Sequence, residues 1–300
     1  MKTIKKASVL LLALCLALSI IPAFAAGDAP EAVSQEIKTY RGVSVGGKLE
    51  ASDPGGLEVT FEITTEPIKG TVELSEDGSF VYTPRDGKKG RDYFGFRAVN
   101  SDGVASQEAT VIIRIEKQKN CMTYSDMEGN GSEYAALVLA ENGVYTGSCL
   151  GGSYVFRPDE TVTRAEFLAM CMNISGDKLL SDVAQTGFSD DSAIPAWAKP
   201  YVSTALMNGY ISGYSEDGSA VFSPDKSVTR AEAAVMLSDI LGIYNLSPVA
   251  TDSESAVPAW CASQINGLIS HAVISDTSNL SECLTRAECA EMLAKAISLA

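Results

Sequence analysis

Histidine is almost absent from this 300-residue chain, and His271 is the single example. No nucleophile elbow, zinc motif or phosphate loop accompanies it, which argues against the common forms of acid–base and metal catalysis. Cationic side chains are scarce as well, with 23 Lys and Arg against 38 Asp and Glu. Such a surface repels polyanions, so nucleic acid is not an expected partner. Cysteine never occurs as Cys-x-x-Cys, which speaks against a structural zinc or redox motif. Beyond residue 25 no apolar run approaches the ~18–20 residues that a membrane span requires. No cofactor and no metal ion are expected.

Residues 1–25 read as a secretory signal. Lys2, Lys5 and Lys6 form a basic start, Val9–Ile21 an apolar stretch, and Ala23-Phe24-Ala25 a small-x-small cleavage site. Cys15 follows Leu14, where a lipoprotein site requires a small residue, and is read as part of the removed peptide. Six cysteines then remain: Cys121, Cys149, Cys171, Cys261, Cys283 and Cys289. Their even number in an exported protein is compatible with disulfides. Cys171 and Cys289 fall on apolar helix positions, where cysteine serves as a small hydrophobe.

Residues 31–117 alternate with period two. Leu57, Val59, Phe61 and Ile63 share one face, as do Phe80 and Tyr82, then Phe94, Phe96 and Ala98, before the run Val111–Ile115. Turn sequences separate these runs at Asp53-Pro54-Gly55-Gly56, Asp77-Gly78, Asp86-Gly87 and Asp102-Gly103. About seven short strands in this space predict a β-sandwich. The segments Gly70-Thr71-Val72, Asp77–Pro84 and Gly90–Phe94 resemble the bacterial cadherin-like Ig modules of large surface proteins. That resemblance implies a spacer or an adhesive module with a surface-protein or host ligand. The calcium sites of such modules usually need clustered acids, and here Gly55-Gly56 follows Asp53-Pro54.

From Thr123 the period becomes helical and the chain repeats itself. Thr-Arg-Ala-Glu occurs at Thr163–Glu166, Thr229–Glu232 and Thr285–Glu288, in a region (121–300) whose only other arginine is Arg157. Asn142-Gly143-Val144-Tyr145-Thr146-Gly147 matches Asn208-Gly209-Tyr210-Ile211-Ser212-Gly213, and Phe156-x-Pro-Asp matches Phe222-x-Pro-Asp. Tyr124-Ser125-Asp126, Phe188-Ser189-Asp190 and Ala250-Thr251-Asp252 open the three copies. Trp197 and Trp260 stand where the first copy has Gly131. The third copy is degenerate, with Ala272 for the first glycine and a shorter loop. Three units are expected at 123–176, 186–243 and 247–300. Together these motifs resemble the S-layer homology family, whose repeats in threes form cell-wall anchors.

Each Thr-x-x-Glu is a capping box that starts a helix. Phe167, Met170, Cys171 and Ile174 then follow at helical spacing, as do Ala233, Met236, Leu237 and Ile240, giving stripes for a core. The arginine is not explained this way, because a cation at a helix N-terminus opposes the helix dipole. Free N–H groups there form an anion site, and a guanidinium beside them makes a clamp for a carboxylate. The other reading is an ion pair with Asp126, Asp190 or Asp252.

The S-layer homology resemblance implies a secondary cell-wall polysaccharide, often pyruvylated, as ligand. Arg164, Arg230 and Arg286 are then the carboxylate clamps, and Trp197 and Trp260 the sugar platforms. Gly143, Gly147, Gly209 and Gly213 are close-approach positions, with Asp126, Asp190 and Asp252 completing the sites. The tryptophans read equally well as core residues beside Pro195 and Pro258. The expected architecture is an all-β Ig-like sandwich followed by an all-α pseudo-threefold bundle of three helix-loop-helix units. The expected protein is a non-enzymatic surface protein held on the bacterial wall. Its alternatives are an adhesin acting through the Ig-like module and a glycan-active wall enzyme.

Overall fold

A computed structural model of the chain describes residues 29–246 and 257–299. The expected signal segment and Asp252 lie outside the described residues.

The first region is built of nine strands: β1 (Glu31–Ala32), β2 (Gln35–Tyr40), β3 (Val45–Lys48), β4 (Ala51–Ser52), β5 (Val59–Thr65), β6 (Gly70–Leu74), β7 (Ser79–Pro84), β8 (Gly90–Asn100) and β9 (Ala109–Glu116). One sheet has the order β2-β9-β8-β5, with β2 and β9 parallel, and a second has the order β3-β7-β6. Alternation decides which side chains face inward: Phe80 and Tyr82 of β7 meet Phe94, Phe96, Val111 and Ile113 of the other sheet. Phe80 and Phe94 pack edge to face at 5.2 Å. The expected turns form, with Gly78, Gly87 and Gly103 at positive φ. Leu57 departs from expectation, for it precedes β5 and is exposed. Asp92 closes the end of the sandwich by accepting the Tyr82 hydroxyl at 2.8 Å and the backbone N–H groups of Ile68 and Lys69.

The second region holds α1 (Glu133–Glu141), α2 (Arg164–Ser175), α3 (Lys199–Met207), α4 (Arg230–Leu241), α5 (Ala262–Ser270) and α6 (Arg286–Ile297). It is not purely helical. Two hairpins, β10 (Ser148–Leu150) with β11 (Ser153–Val155) and β12 (Tyr214–Glu216) with β13 (Ser219–Val221), lie in the loops of the first two units. The predicted stripes face the core: Phe167, Met170, Cys171, Ala233, Met236, Leu237 and Ile240 are buried. All three capping boxes are formed, at Thr163, Thr229 and Thr285. The six cysteines outside the expected signal are unpaired, and Cys171 and Cys289 lie in the core.

The three loops that precede the capping threonines join head to tail. Val162 N–H donates to Leu284 O at 3.1 Å, Leu284 N–H to Val228 O at 3.0 Å, and Val228 N–H to Val162 O at 3.0 Å. This closed ring is buried, so each bond removes a backbone donor that would otherwise be left dry at a cost of about 1–3 kcal/mol. Helix contacts follow the same order, α2 on α3, α4 on α5 and α6 on α1. No described helix is long and apolar enough to cross a membrane.

Candidate functional site

The ring decides what the helix N-termini can do. In the first unit Arg164 N–H donates to Lys226 O and Ala165 N–H to Pro224 O, while Glu166 N–H donates to the Thr163 hydroxyl. Arg230 and Ala231 donate to Glu282 O and Leu280 O, and Arg286 and Ala287 to Glu160 O and Pro158 O. Of the donors that a helix usually leaves free, the first two are therefore taken by the neighbouring unit's loop and the third by the helix's own capping threonine. The expected anion site at these N–H groups is corrected accordingly: it does not exist.

The arginine side chains cross between units in the same sense. Arg164 is 6% exposed and donates from Nε to Phe222 O at 3.0 Å, with its guanidinium 4.4 Å from the Tyr214 ring centre. Its two terminal nitrogens have no hydrogen-bond acceptor among the described residues. Arg286 is 7% exposed and donates to Phe156 O at 3.1 Å and Glu160 Oε2 at 3.1 Å, beneath Tyr145. Arg230 is more open and pairs with Glu288. Arginine beside carbonyl oxygens offsets the unfavourable dipole that its position creates.

Asp126 and Asp190 stand elsewhere than expected. Asp126 accepts the N–H groups of Phe156 and Arg157, and Asp190 those of Phe222 and Ser223. These carboxylates hold Arg157 and Ser223 in left-handed conformations at φ 62° and 60° and pair with none of the repeated arginines. The acids that do meet those arginines are Glu166 and Glu288, read from the sequence only as capping-box residues, and Glu160, which the sequence reading did not single out.

The glycines divide into two kinds. Gly143 and Gly209 end α1 and α3 in the left-handed region with open space around them. At Gly213 (φ 74°) a Cβ would lie 2.4 Å from Val221 O and 2.5 Å from the Phe188 ring, and at Gly147 2.5 Å from Val155 O. These two positions seat each hairpin on its own unit.

One groove of about 430 Å³ gathers several of the predicted residues. Arg164 comes from the first unit, Gly209 and Gly213 from the second, and Trp260 from the third. Trp260 and Trp197 are 59% and 51% exposed, so neither is a core residue. Tyr214, Glu232 and Asp239 complete the walls. Tyr214 donates its hydroxyl to Glu232 at 2.7 Å, and Lys226 Nζ lies 3.0 Å from both. Burial raises Glu232, but hydrogen bonds from Tyr214, the Thr229 N–H and Lys226 outweigh it and hold the carboxyl below its ordinary range. Burial raises Asp239. Tyr214 has no counterpart in the other units, which carry Ser148 and Thr277 there, and so gave no repeat signal. Among the described residues no cluster of acids, cysteines and histidine could hold a metal ion.

Comparison with known families falls on the same two regions. Residues 27–117 match the bacterial cadherin-like domain. Residues 187–234 match the S-layer homology domain. That second match covers the middle unit, from before the Phe188-Ser189-Asp190 start to the first turn of α4. The surface-layer 125 kDa protein of Lysinibacillus sphaericus is 28% identical over 131 residues, 42% of this chain and 10% of that protein. Exoglucanase XynX of Acetivibrio thermocellus is 31% identical over 134 residues, 43% of this chain and 12% of the enzyme. The cellulosome-anchoring protein of the same species is 25% identical over 127 residues, 40% of this chain and 26% of that protein. The chain thus spans a tenth to a quarter of these relatives' lengths. The S-layer homology match and the surface-protein relatives point to a cell-surface, cell-wall-associated bacterial protein.

Proposed function

We propose that the helical region is a set of three S-layer homology units closed about a pseudo-threefold axis, and that it anchors the protein to an anionic secondary cell-wall polysaccharide. The observation that carries this reading is the convergence of Arg164, the 209–214 loop and Trp260, from three different units, on one groove. An exposed indole offers a flat apolar face to a sugar ring. The terminal nitrogens of Arg164 offer a forked cation to a carboxylate such as that of a pyruvate ketal. Lys226 adds positive charge beside an otherwise acidic surface.

The anchor is non-enzymatic in this reading. Relatives as different as a surface-layer protein, an exoglucanase and an anchoring protein match this chain over similar fractions of it, 40–43%. Matches of similar length to such different proteins fit attachment better than any one catalytic activity. The cadherin-like sandwich is then the module that the anchor presents.

Co-sedimentation of the full chain with isolated bacterial walls tests the reading. Binding to native walls and at least tenfold weaker binding to walls stripped of pyruvate ketals are expected. Equal binding to both would exclude the pyruvylated ligand, and no binding to either would exclude wall anchoring.

A further inference from the structure

The Arg164 groove draws its arginine, its glycine loop and its tryptophan from successive units. Moving each back by one unit gives Arg286, the 143–148 loop and Trp197. Moving back once more gives Arg230, the 272–277 loop and Gly131. The third combination is unlike the others at every member. Arg230 is only half-buried where Arg164 and Arg286 are buried, Ala272 holds the left-handed glycine position at φ 56°, and the tryptophan is a glycine.

The glycine has a structural reason. Gly131 lies against β3 of the sandwich, with Gly46 N–H donating to Gly131 O at 2.7 Å. A Cβ on Gly131 would stand 3.2 Å from Gly46 Cα and 3.3 Å from a Val81 methyl, so an indole has no room there. The contact continues along α1. Glu133 is buried and accepts Ser44 N–H at 3.2 Å, and Tyr134 N–H donates to Ser44 O at 3.3 Å. Tyr40 packs against Tyr134 in a tilted ring contact at 4.9 Å and donates its hydroxyl to Glu141 at 2.7 Å. Ser132, next to Gly131, donates to Glu291 of α6 at 2.6 Å and ties this rim to the helix that carries Arg286. Tyr40 and Val43 even belong to the hydrophobic core of the helical region.

We propose that the sandwich is a fixed cover docked at the rim position where the other two units display tryptophan, so that the Arg230 groove is closed and the protein holds its polymer through two grooves. The count of two rests on the saccharide reading given above; the docking does not. Sandwich and anchor then move as one body, and the module is presented in a defined orientation on the wall.

Two measurements on the full chain test this. The first is hydrogen exchange at the Gly46 and Tyr134 amides, which needs no ligand. The second is the calorimetric stoichiometry for a hexopyranoside bearing a 4,6-linked pyruvate ketal. The unaltered protein should protect both amides and bind two equivalents. Gly131→Trp should speed exchange at Gly46 at least tenfold and raise the count to three. Gly46→Trp, which leaves the helical units untouched, should speed exchange at Tyr134 likewise and add a third site at least tenfold weaker, because no indole stands at Gly131. An unprotected Gly46 amide in the unaltered protein would overturn the docking. Three equivalents with Gly46 protected would overturn the closure, and no binding at all would overturn the saccharide reading and the count with it. Variants that unfold betray themselves by losing the two original sites, and failure of both to open a third would count against the cover.

Discussion

Arg164 donates its Nε hydrogen to the carbonyl of Phe222, fifty-eight residues on, and so fastens the first unit to the loop of the second. The same guanidinium lies beneath Tyr214 at the edge of the groove. Folding and ligand contact thus converge on one side chain.

Arg164→Ala is therefore expected to destabilise the protein by about 2–3 kcal/mol, since it strips a buried carbonyl of its donor and removes a cation from an aromatic face. Arg230→Ala breaks a more open pair with Glu288 and should cost no more than about 1 kcal/mol. Urea unfolding of both variants checks the contrast. Equal losses would show that burial does not grade the arginines.

Thr229→Ala removes a formed capping box, and an unfolding midpoint lower by the equivalent of about 1 kcal/mol is expected. The ring of loop hydrogen bonds is made by backbone and should survive, so wall binding should change less than stability.

Two glycines four residues apart in the same motif should behave differently. Gly209→Ala meets open space and incurs only the left-handed backbone strain, about 1 kcal/mol. Gly213→Ala adds a Cβ at 2.4 Å from Val221 O and should disrupt the β12–β13 hairpin, with a loss of more than about 2 kcal/mol. Thermal unfolding of the pair measures the difference.

Much of this was legible locally. The capping boxes and the apolar stripes of α2 and α4 are patterns within a dozen residues, and they form as read. The arginine roles were not legible, because their acceptors (Phe222 O for Arg164, Phe156 O for Arg286) lie on other units far along the chain. Asp126 and Asp190 were misread for a related reason. A carboxylate that clamps a left-handed backbone about thirty residues on looks in sequence like any other acid near a helix start. Gly131 stood out only as a missing tryptophan, and its partner Gly46 belongs to a different domain altogether.

Glu133 makes the contact between sandwich and anchor sensitive to pH. Burial lifts its carboxyl to about 7, the Ser44 N–H opposes that shift, and Glu128 adds to it. A raised folded-state value means that the folded protein holds a proton which the unfolded chain releases near pH 4 to 5. The contribution is full below that range and is lost as pH rises through about 7. Melting temperature should accordingly fall between pH 5.5 and 8.5 more in the unaltered protein than in Glu133→Gln. Parallel pH profiles for the two would refute the assignment.

Trp260 offers the most direct measurement of whether the three-unit groove is the wall-binding site. Its indole is 59% exposed, so Trp260→Ala should leave the melting temperature nearly unchanged. Co-sedimentation of this full-length variant with native walls should show affinity reduced at least tenfold. A Trp260→Ala protein that melts normally and binds native walls as tightly as its parent would contradict the groove assignment.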